Sequence, residues 1–187
     1  MRQPKGYRGI DHETIGSDVL SLVNAVLMPE QILGPQIMAS LRLVRANEWY
    51  PIATLLDPLE RLDRVLGPSS LRKIGWTLFQ LSHEAPFKQS NPSARDIVYE
   101  FDTMYHRVNR GKHIGGWKVV TFEPGRAVLE KTTPHHCVME EGIFERAFRV
   151  IDVPAVIYQT DCFRKGQDAC RFVITSHVTD ARWTGKK

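Results

Sequence analysis

The sequence predicts an α+β domain in which N-terminal helices pack on an antiparallel sheet built from two C-terminal hairpins that flank a helix. Two observations support this prediction. Up to about residue 108 the apolar residues recur at three- and four-residue steps, which is typical of amphipathic helices. After Asn109 they alternate in short segments separated by glycine-containing turns, which is typical of β-hairpins.

The helical half begins with an apolar stretch over residues 17–27 that suits either a strand or a buried helix. Pro29 marks a helix start, and Gly34-Pro35 marks an interruption or a restart of that helix. An apolar stripe over residues 51–66 then predicts an amphipathic helix that ends at Gly67-Pro68.

Two further helices complete the helical half. An apolar stripe from Leu71 to Leu81 predicts the first of them. Residues 85–92 are predicted to form a loop. Ser93, with Asp96 three residues later, resembles an N-cap for a second helix that extends to about Val108.

The strands follow in two pairs. The sequence Glu123-Pro124-Gly125-Arg126 suits a type II turn between strands at 117–122 and 126–130. A helix is expected over about 138–150. The runs 153–163 and 170–178, with Gly166 at the centre of their connection, predict the second hairpin.

Composition narrows the class of protein. The chain has 187 residues, enough for one core, and we expect a single domain over 13–180 between a flexible N-terminal segment (1–12) and a flexible tail (181–187). Its 25 Lys and Arg are interleaved with 21 Asp and Glu, which argues against nucleic-acid binding. The apolar stretches are too short to span a membrane. Three cysteines and no signal sequence predict a cytoplasmic protein.

All three cysteines lie in the last third of the chain. If the second hairpin is symmetric about Gly166, Cys162 lies opposite Cys170, with Thr160 opposite Phe172. Cross-strand Cβ atoms approach to about 4.5–5.5 Å, so the two thiols are close enough to pack as small hydrophobic groups, to hold a metal or to form a disulfide. A reducing compartment argues against the disulfide.

The third cysteine, Cys137, stands at the start of a predicted helix, where the helix dipole favours the thiolate that binds metals. His135 and His136 precede it and are candidates for a nitrogen ligand. We nevertheless interpret both histidines as solvent-facing loop residues.

The residues 133–144 and 161–172 resemble the C-terminal half of the 4-vinyl-reductase, or hydrocarbon-binding, domain. The most specific feature is Cys-x7-Cys with a central glycine. That family belongs to a larger group with the heme nitric-oxide sensors and the TRAPP vesicle-tethering subunits. The resemblance implies a sensor module that binds a small molecule. It also implies a dimer.

In phenol-sensing members of the family the corresponding positions bind zinc. The resemblance therefore implies a structural zinc on Cys137, Cys162 and Cys170. Gln159 stands where the family has a glutamate ligand. In the symmetric pairing Gln159 would face away from Cys162 unless a bulge redirects it, and Asp161 or one of the two histidines is the alternative fourth ligand.

A small apolar or aromatic ligand is expected between the helices and the sheet, with an effector protein in trans as the partner of a homodimer. For each candidate pocket residue, the alternative interpretation is that its side chain simply fills the hydrophobic core. The candidates are Trp76, Phe79, Phe101, Tyr105, His106, Trp117 and Phe144.

Three other functions are alternatives. A dimeric scaffold of the TRAPP type is the alternative that the resemblance implies. An enzyme is disfavoured, because the chain contains no nucleophile elbow, P-loop or dinucleotide fingerprint; an accessory role in pigment vinyl reduction is a weaker form of this alternative. Heme is disfavoured as well, because it would need an axial ligand such as His106 or His113 and the chain has no Tyr-x-Ser-x-Arg heme clamp.

Overall fold

The computed structural model describes residues 11–185. Residues 1–10 and 186–187 belong to the segments predicted to be flexible, and they lie outside the described residues.

The described residues form helices and antiparallel sheets, so the predicted α+β class is confirmed. The helices are α1 (Gly16–Asn24), α2 (Pro29–Leu33), α3 (Pro35–Leu41), α4 (Ala53–Leu66), α5 (Pro68–Ser82), α6 (Glu84–Ser90), α7 (Ala94–Val108), α8 (Cys137–Val150) and α9 (Ala181–Thr184), with a short 3-10 helix at Phe163–Lys165. The strands are β1 (Glu13–Ile15), β2 (Trp49–Pro51), β3 (Asn109–Arg110), β4 (Trp117–Glu123), β5 (Arg126–Lys131), β6 (Val156–Asp161) and β7 (Cys170–Thr175).

The main sheet has the strand order β4-β5-β7-β6 and is antiparallel throughout. It consists of the two predicted hairpins, and α8 connects them in the chain. Gly125 has a φ of 73° in the β4–β5 turn, the positive value that a type II turn requires. A second sheet, β2-β1-β3, was not predicted, because strands of two or three residues are too short to show an alternating pattern.

The ambiguous apolar stretch at residues 17–27 is mainly helical, and α1 buries Val19 and Leu22 completely. Pro29 and Pro35 begin separate helices, which confirms the predicted restart. The next helix, α4, starts two residues later than expected because the preceding residues Trp49–Pro51 pair with β1.

The predicted loop at residues 85–92 is wrong over most of its length, since α6 occupies Glu84–Ser90. Pro86 is compatible with this helix because it stands in the first turn, where the backbone N–H has no helical partner to lose. Phe87 packs edge-on against Phe79, with ring centroids 5.1 Å apart. This tertiary contact stabilises a helix that local sequence signals do not predict.

The predicted N-cap of α7 is confirmed as a full capping box. The Ser93 hydroxyl accepts from the Asp96 backbone N–H at 3.2 Å. The Asp96 carboxylate accepts from the Ser93 backbone N–H at 2.8 Å. Both contacts are local, so the sequence alone was sufficient to predict them.

The predicted register of the second hairpin is wrong. Gln159, not Thr160, lies opposite Phe172, because β6 carries an irregularity between Gln159 and Asp161. A bulge of this kind adds one residue to a strand and shifts the side chains beyond it to the other face. Gln159 therefore shares the face of the buried Phe172.

Residues 181–184, within the predicted flexible tail, form helix α9. Trp183 of this helix is fully buried. Its ring stacks on Phe122 with a centroid distance of 5.5 Å, and its indole N–H donates to the Glu123 carbonyl at 2.7 Å. Thus α9 packs against the end of strand β4.

Helices α5 and α8 pack with their backbones in direct contact. A Cβ atom on Gly75 would lie 1.9 Å from the Met139 carbonyl oxygen, and one on Gly142 would lie 1.9 Å from the Arg72 carbonyl oxygen. Each helix therefore contributes a glycine to the crossing. Arg72 also forms ion pairs with Glu141 and Glu145 of α8.

Helix α8 lies between two apolar clusters. Phe144 belongs to the cluster formed with α7 and the main sheet, and its ring stacks on Phe101 at 4.0 Å. Met139 belongs to the cluster formed by the helices of the N-terminal half. The position of α8 thus determines how both cores are packed.

We predict that Gly142→Ala lowers the free energy of unfolding by about 1–3 kcal/mol or more, because its methyl group has no room at the crossing. The matched control is Gln80→Ala on the exposed side of α5, which should change stability by no more than about 0.5 kcal/mol. Urea denaturation of the two variants and the wild type measures the difference. Equal midpoints for Gly142→Ala and the wild type would contradict the close crossing.

Candidate functional site

The three cysteines converge on one buried point. Cys137 is the first residue of α8, Cys162 follows β6 and Cys170 begins β7. The sulfur of Cys137 lies 3.1 Å from that of Cys170 and 3.8 Å from that of Cys162, and the remaining pair is 3.8 Å apart. All three are free thiols and buried. They form what we call the thiol cluster.

The dimensions of the thiol cluster match those of a metal site. With zinc–sulfur bonds of about 2.3 Å, two ligands of a tetrahedral site lie about 3.8 Å apart. Two of the three sulfur distances have this value, and the Cys137–Cys170 distance is 0.7 Å shorter. The metal-ligating atoms of these cysteines all lie within 4.8 Å of one another.

A buried cation lies beside the cluster. The Lys131 ammonium is 3.8 Å from the Cys137 sulfur and 3.6 Å from Glu140, and it donates to the His135 carbonyl at 2.6 Å. Burial acts to lower the pKa of Lys131, but the negative charges of Cys137 and Glu140 outweigh it, so the pKa is raised. A permanent positive charge at this distance favours the thiolate form of a cysteine.

The thiols also act on each other. Hydrogen bonds with Cys137 and Cys170 lower the pKa of Cys162, whereas hydrogen bonding to the same group of thiols raises the pKa of Cys170. A buried cluster of this kind thus favours thiolate character at Cys162 first. Thiolates are the form in which cysteines bind metals.

The expected solvent exposure of His135 and His136 is wrong, because both side chains are buried. The His135 ring packs edge-on against Tyr105 of α7, and the His136 Nε2 lies 3.1 Å from Asp63 of α4. Contacts from two distant helices cover this segment, and local sequence does not reveal them. Neither histidine joins the thiol cluster within the described residues, and Asp161 instead lies 3.9 Å from Arg171.

Gln159 lies beside the cluster because of the bulge in β6. Its side chain lines a cleft of about 510 Å³ together with Cys137, Cys162 and His136. The Gln159 Nε2 and the His136 Nδ1 are buried and have no hydrogen-bond partner. The residue that replaces the family's glutamate thus shares a cleft with two of the thiols, as a bulge allows.

A separate cavity of about 70 Å³ lies among helices α1, α5, α7 and α8 and strand β4. Its apolar wall includes Phe101, Tyr105, Trp117, Met139 and Ile143. Its polar wall consists of Asp18, His83, Asn109, His135 and Glu140.

Of the seven predicted pocket residues, Phe101, Tyr105 and Trp117 line the cavity. The other four do not line it. Phe79 and Phe144 are fully buried and fill the core. Trp76 contacts the side chains of Arg146 and Lys73 at 5.1 Å and 5.6 Å. His106 is exposed and lies 3.5 Å from Asp102.

Sequence reasoning missed the polar residues of the cavity. Asp18 is preceded by Gly16-Ser17 and Glu140 is followed by Glu141, so neither stands out as a polar residue within an apolar run. The apolar pattern indicated which face of α7 is buried, but it did not indicate which buried side chains border a space. That information depends on the tertiary packing of four helices.

The cavity carries little positive charge. Burial, reinforced by the negative charge of Glu140, raises the pKa of Asp18 to about 7. Burial and the charges of Lys131 and His12 lower the pKa of His135 to about 3, and burial lowers the pKa of His83. Both imidazoles are therefore neutral at neutral pH. Burial also raises the pKa of Glu140, so the charge of the wall grows as the pH rises.

No family model and no curated protein matches the chain. Solved structures do match it. An H-NOX protein from S. oneidensis in the Fe(II)NO ligation state has a TM-score of 0.64 at 14% identity, over 87% of this chain and 99% of that one. The chain has the fold of H-NOX domains.

Two other solved structures agree with this assignment of the fold. An oxygen-binding H-NOX domain related to soluble guanylate cyclases has a TM-score of 0.62 at 12% identity, over 92% of this chain and 96% of that one. A structure from work on heme distortion in the H-NOX family has a TM-score of 0.65 at 10% identity, covering 88% and 93%. The likeness to the 4-vinyl-reductase domain stays a prediction.

The H-NOX fold corrects the expectation that heme is disfavoured. The solved proteins with this fold include ferrous forms with bound nitric oxide and a member studied for its heme distortion. His106 and His113, the axial ligands considered from the sequence, are both exposed. The neutral imidazoles of His83 and His135 line the cavity instead, and a neutral histidine is a common ligand of heme iron.

The cavity is small compared with the volume that heme requires. Pockets for drug-sized ligands measure about 300–1,000 Å³, and this cavity measures about 70 Å³. The neutral imidazoles of His83 and His135 are of the type that ligates heme iron. The porphyrin ring of heme, however, does not fit this cavity unless the lining side chains move apart. Among the helices of residues 11–185, none has the length and apolar character needed to cross a membrane.

We predict that Asp18 makes stability depend on pH. Its folded-state pKa of about 7 exceeds the ordinary value of 3.8, so the folded chain holds a proton that the unfolded chain releases. Stability should fall as the pH rises from about 4 to about 7, by up to about 4 kcal/mol. Asp18→Asn should remove this component and make the protein more stable than wild type at pH 8.

Urea denaturation at pH 5 and pH 8 measures the effect. The other titratable groups of the cavity are His83, Tyr105, His135 and Glu140, and they are unchanged in the variant, so the difference between variant and wild type isolates Asp18. Glu100→Gln, at an exposed position of α7, is the control. The same pH dependence in Asp18→Asn and wild type would show that Asp18 is not the group responsible.

Proposed function

We propose that the protein is a sensor-type module that binds a small apolar or aromatic molecule in the cavity between α5, α7 and α8. The observation that carries this proposal is the cavity itself, with aromatic walls and a few polar groups among them. Binding sites for small molecules usually have this composition, because apolar contact supplies affinity and isolated polar groups orient the ligand.

Two further findings support the proposal. The chain has the fold of H-NOX domains, and solved proteins with this fold bind oxygen or nitric oxide. The sequence resemblance to the hydrocarbon-binding domain independently implies an apolar ligand. The homodimer and the effector in trans are part of the same proposal and come from that resemblance.

We also propose that the thiol cluster holds a structural zinc ion. The sulfur spacings of 3.8 Å and the buried position support it. Zinc held by three thiolates carries net negative charge, and Lys131 at 3.8 Å from Cys137 compensates it. Such an ion would tie the start of α8 to the β6–β7 hairpin. The fourth ligand position would face the cleft that Gln159 and His136 line.

A dimeric scaffold is the second candidate, and one observation favours it. Strand β6 forms an edge of the main sheet, and its Val156 and Tyr158 side chains are exposed. Exposed apolar residues on an edge strand suit pairing with another chain. A scaffold of this kind needs no ligand in the cavity, so ligand binding distinguishes the two candidates.

We predict that toluene binds in the cavity with one molecule per chain, and that lining side chains such as the flexible Met104 and Met139 move apart to admit it, because the empty space measures about 70 Å³. Ile143→Phe should abolish this binding, because the larger side chain fills the space. Val120→Phe on an exposed position of β4 is the matched control and should bind toluene as the wild type does. Calorimetry and chemical-shift perturbation measure the binding.

Two results would contradict the binding of a small apolar molecule. Absence of toluene binding in the wild type would favour the scaffold. A Soret band that appears on titration with hemin and saturates at one equivalent would assign the cavity to heme instead.

We predict one zinc ion per chain by elemental analysis of the purified protein. Removal by a chelator should lower the melting temperature by at least about 5 °C, which corresponds to roughly 2 kcal/mol for a chain of this length. Cys170→Ser should have a similar effect, and the chelator should then cause no further change. A wild type without zinc, with a melting temperature unaffected by chelator, would leave the thiols as packing residues.

A further inference from the structure

We propose that the cavity recognises an ammonium group, so that its ligand is a small primary amine with an apolar body. This inference rests on the proposed function, because it assigns the chemical class of the ligand in the same cavity. Three features of the wall carry it: an unpaired amide oxygen, an uncompensated carboxylate and a set of aromatic rings.

The amide oxygen belongs to Asn109, which is 1% exposed and lines the cavity. Its Nδ2 donates to the Tyr105 carbonyl at 3.0 Å, and this contact fixes the orientation of the amide. The Oδ1 is buried and has no hydrogen-bond partner. A buried acceptor without a donor costs about 1–3 kcal/mol, and a ligand that supplies an N–H donor would recover part of this cost.

The carboxylate belongs to Asp18 of α1. Two carboxyl groups line the cavity, Asp18 and Glu140, whereas no lysine or arginine of the described chain does. Glu140 has the Lys131 ammonium 3.6 Å away. Asp18 has no ion pair with any residue in 11–185, and the influences on its pKa are burial and the like charge of Glu140. Above its pKa of about 7, Asp18 therefore gives the wall a negative charge that no ion pair within residues 11–185 neutralises.

The remaining titratable groups do not change this balance. His83 and His135 have lowered pKa values and are neutral. The Tyr105 hydroxyl donates to the Ile114 carbonyl at 2.6 Å, so its proton is already engaged. The cavity thus offers acceptors to a ligand, and it repels a carboxylate or a phenolate.

Aromatic rings complete the recognition. Phe101, Tyr105 and Trp117 line the cavity, and the face of an aromatic ring attracts a cation within about 6 Å. Met139 and Ile143 provide apolar contact for the rest of the molecule. The amide, the carboxyl group and the rings line the same cavity, and an ammonium group on a short apolar body is the ligand that suits all three.

The test compares benzylamine with toluene, which has the same ring and lacks the ammonium group. Calorimetry at pH 8 should show benzylamine binding at least about tenfold more tightly than toluene, a difference of about 1.4 kcal/mol. Asp18→Asn should remove this preference, and a cooperative urea transition shows that the variant is folded. Glu100→Gln at an exposed position of α7 should bind both probes as the wild type does.

A pH series on the wild type gives a second measurement. Benzylamine binding should weaken as the pH falls below about 7, the pKa of Asp18, while toluene binding stays constant. Equal affinities for the two probes, or a benzylamine preference that survives in Asp18→Asn, would overturn the assignment of an amine and leave the small-molecule function in place. If neither probe binds, the proposed function fails together with it.

Discussion

The contact between the backbones of α5 and α8 is the constraint on which the rest of the structure depends. Gly75 and Gly142 allow the two helices to approach until carbonyl oxygens occupy the space that side chains would need. This approach fixes α8 along its whole length. Its first residue, Cys137, then meets the β6–β7 hairpin, while Glu140 and Ile143 reach the cavity. One helix position therefore determines both the thiol cluster and the proposed ligand site.

The two sites share a buried charge. The Lys131 ammonium lies 3.8 Å from the sulfur of Cys137 and 3.6 Å from the carboxylate of Glu140. A buried cation is stable only when nearby negative groups compensate it, so the thiolates and the cavity carboxyl together keep Lys131 protonated. Glu140 thus has a cation beside it, whereas Asp18 has no ion pair within residues 11–185. This difference explains why the two carboxyl groups of the cavity play distinct parts in the proposed recognition.

Local signals made much of the fold predictable. The capping box of Ser93 and Asp96 and the turn at Gly125 involve residues close in sequence, and both were predicted. The bulge beside Gln159 and the helix around Phe87 depend on partners far along the chain, and both were missed. At the candidate site, the three cysteines named from the sequence lie together, and three of the seven named pocket residues line the cavity. Sequence reasoning did not find the polar wall, because a buried polar residue acquires its role only from helices that pack around it.

The space between Phe101, Met139 and Ile143 is the feature on which the proposed ligand binding depends. Xenon enters apolar cavities in proteins without needing a polar partner. The most direct measurement is a crystal structure of the protein under xenon pressure. The expected result is a xenon atom in contact with Phe101 and Ile143, with the fold unchanged. Side-chain density that fills this space, with no xenon in it, would contradict the existence of a ligand cavity.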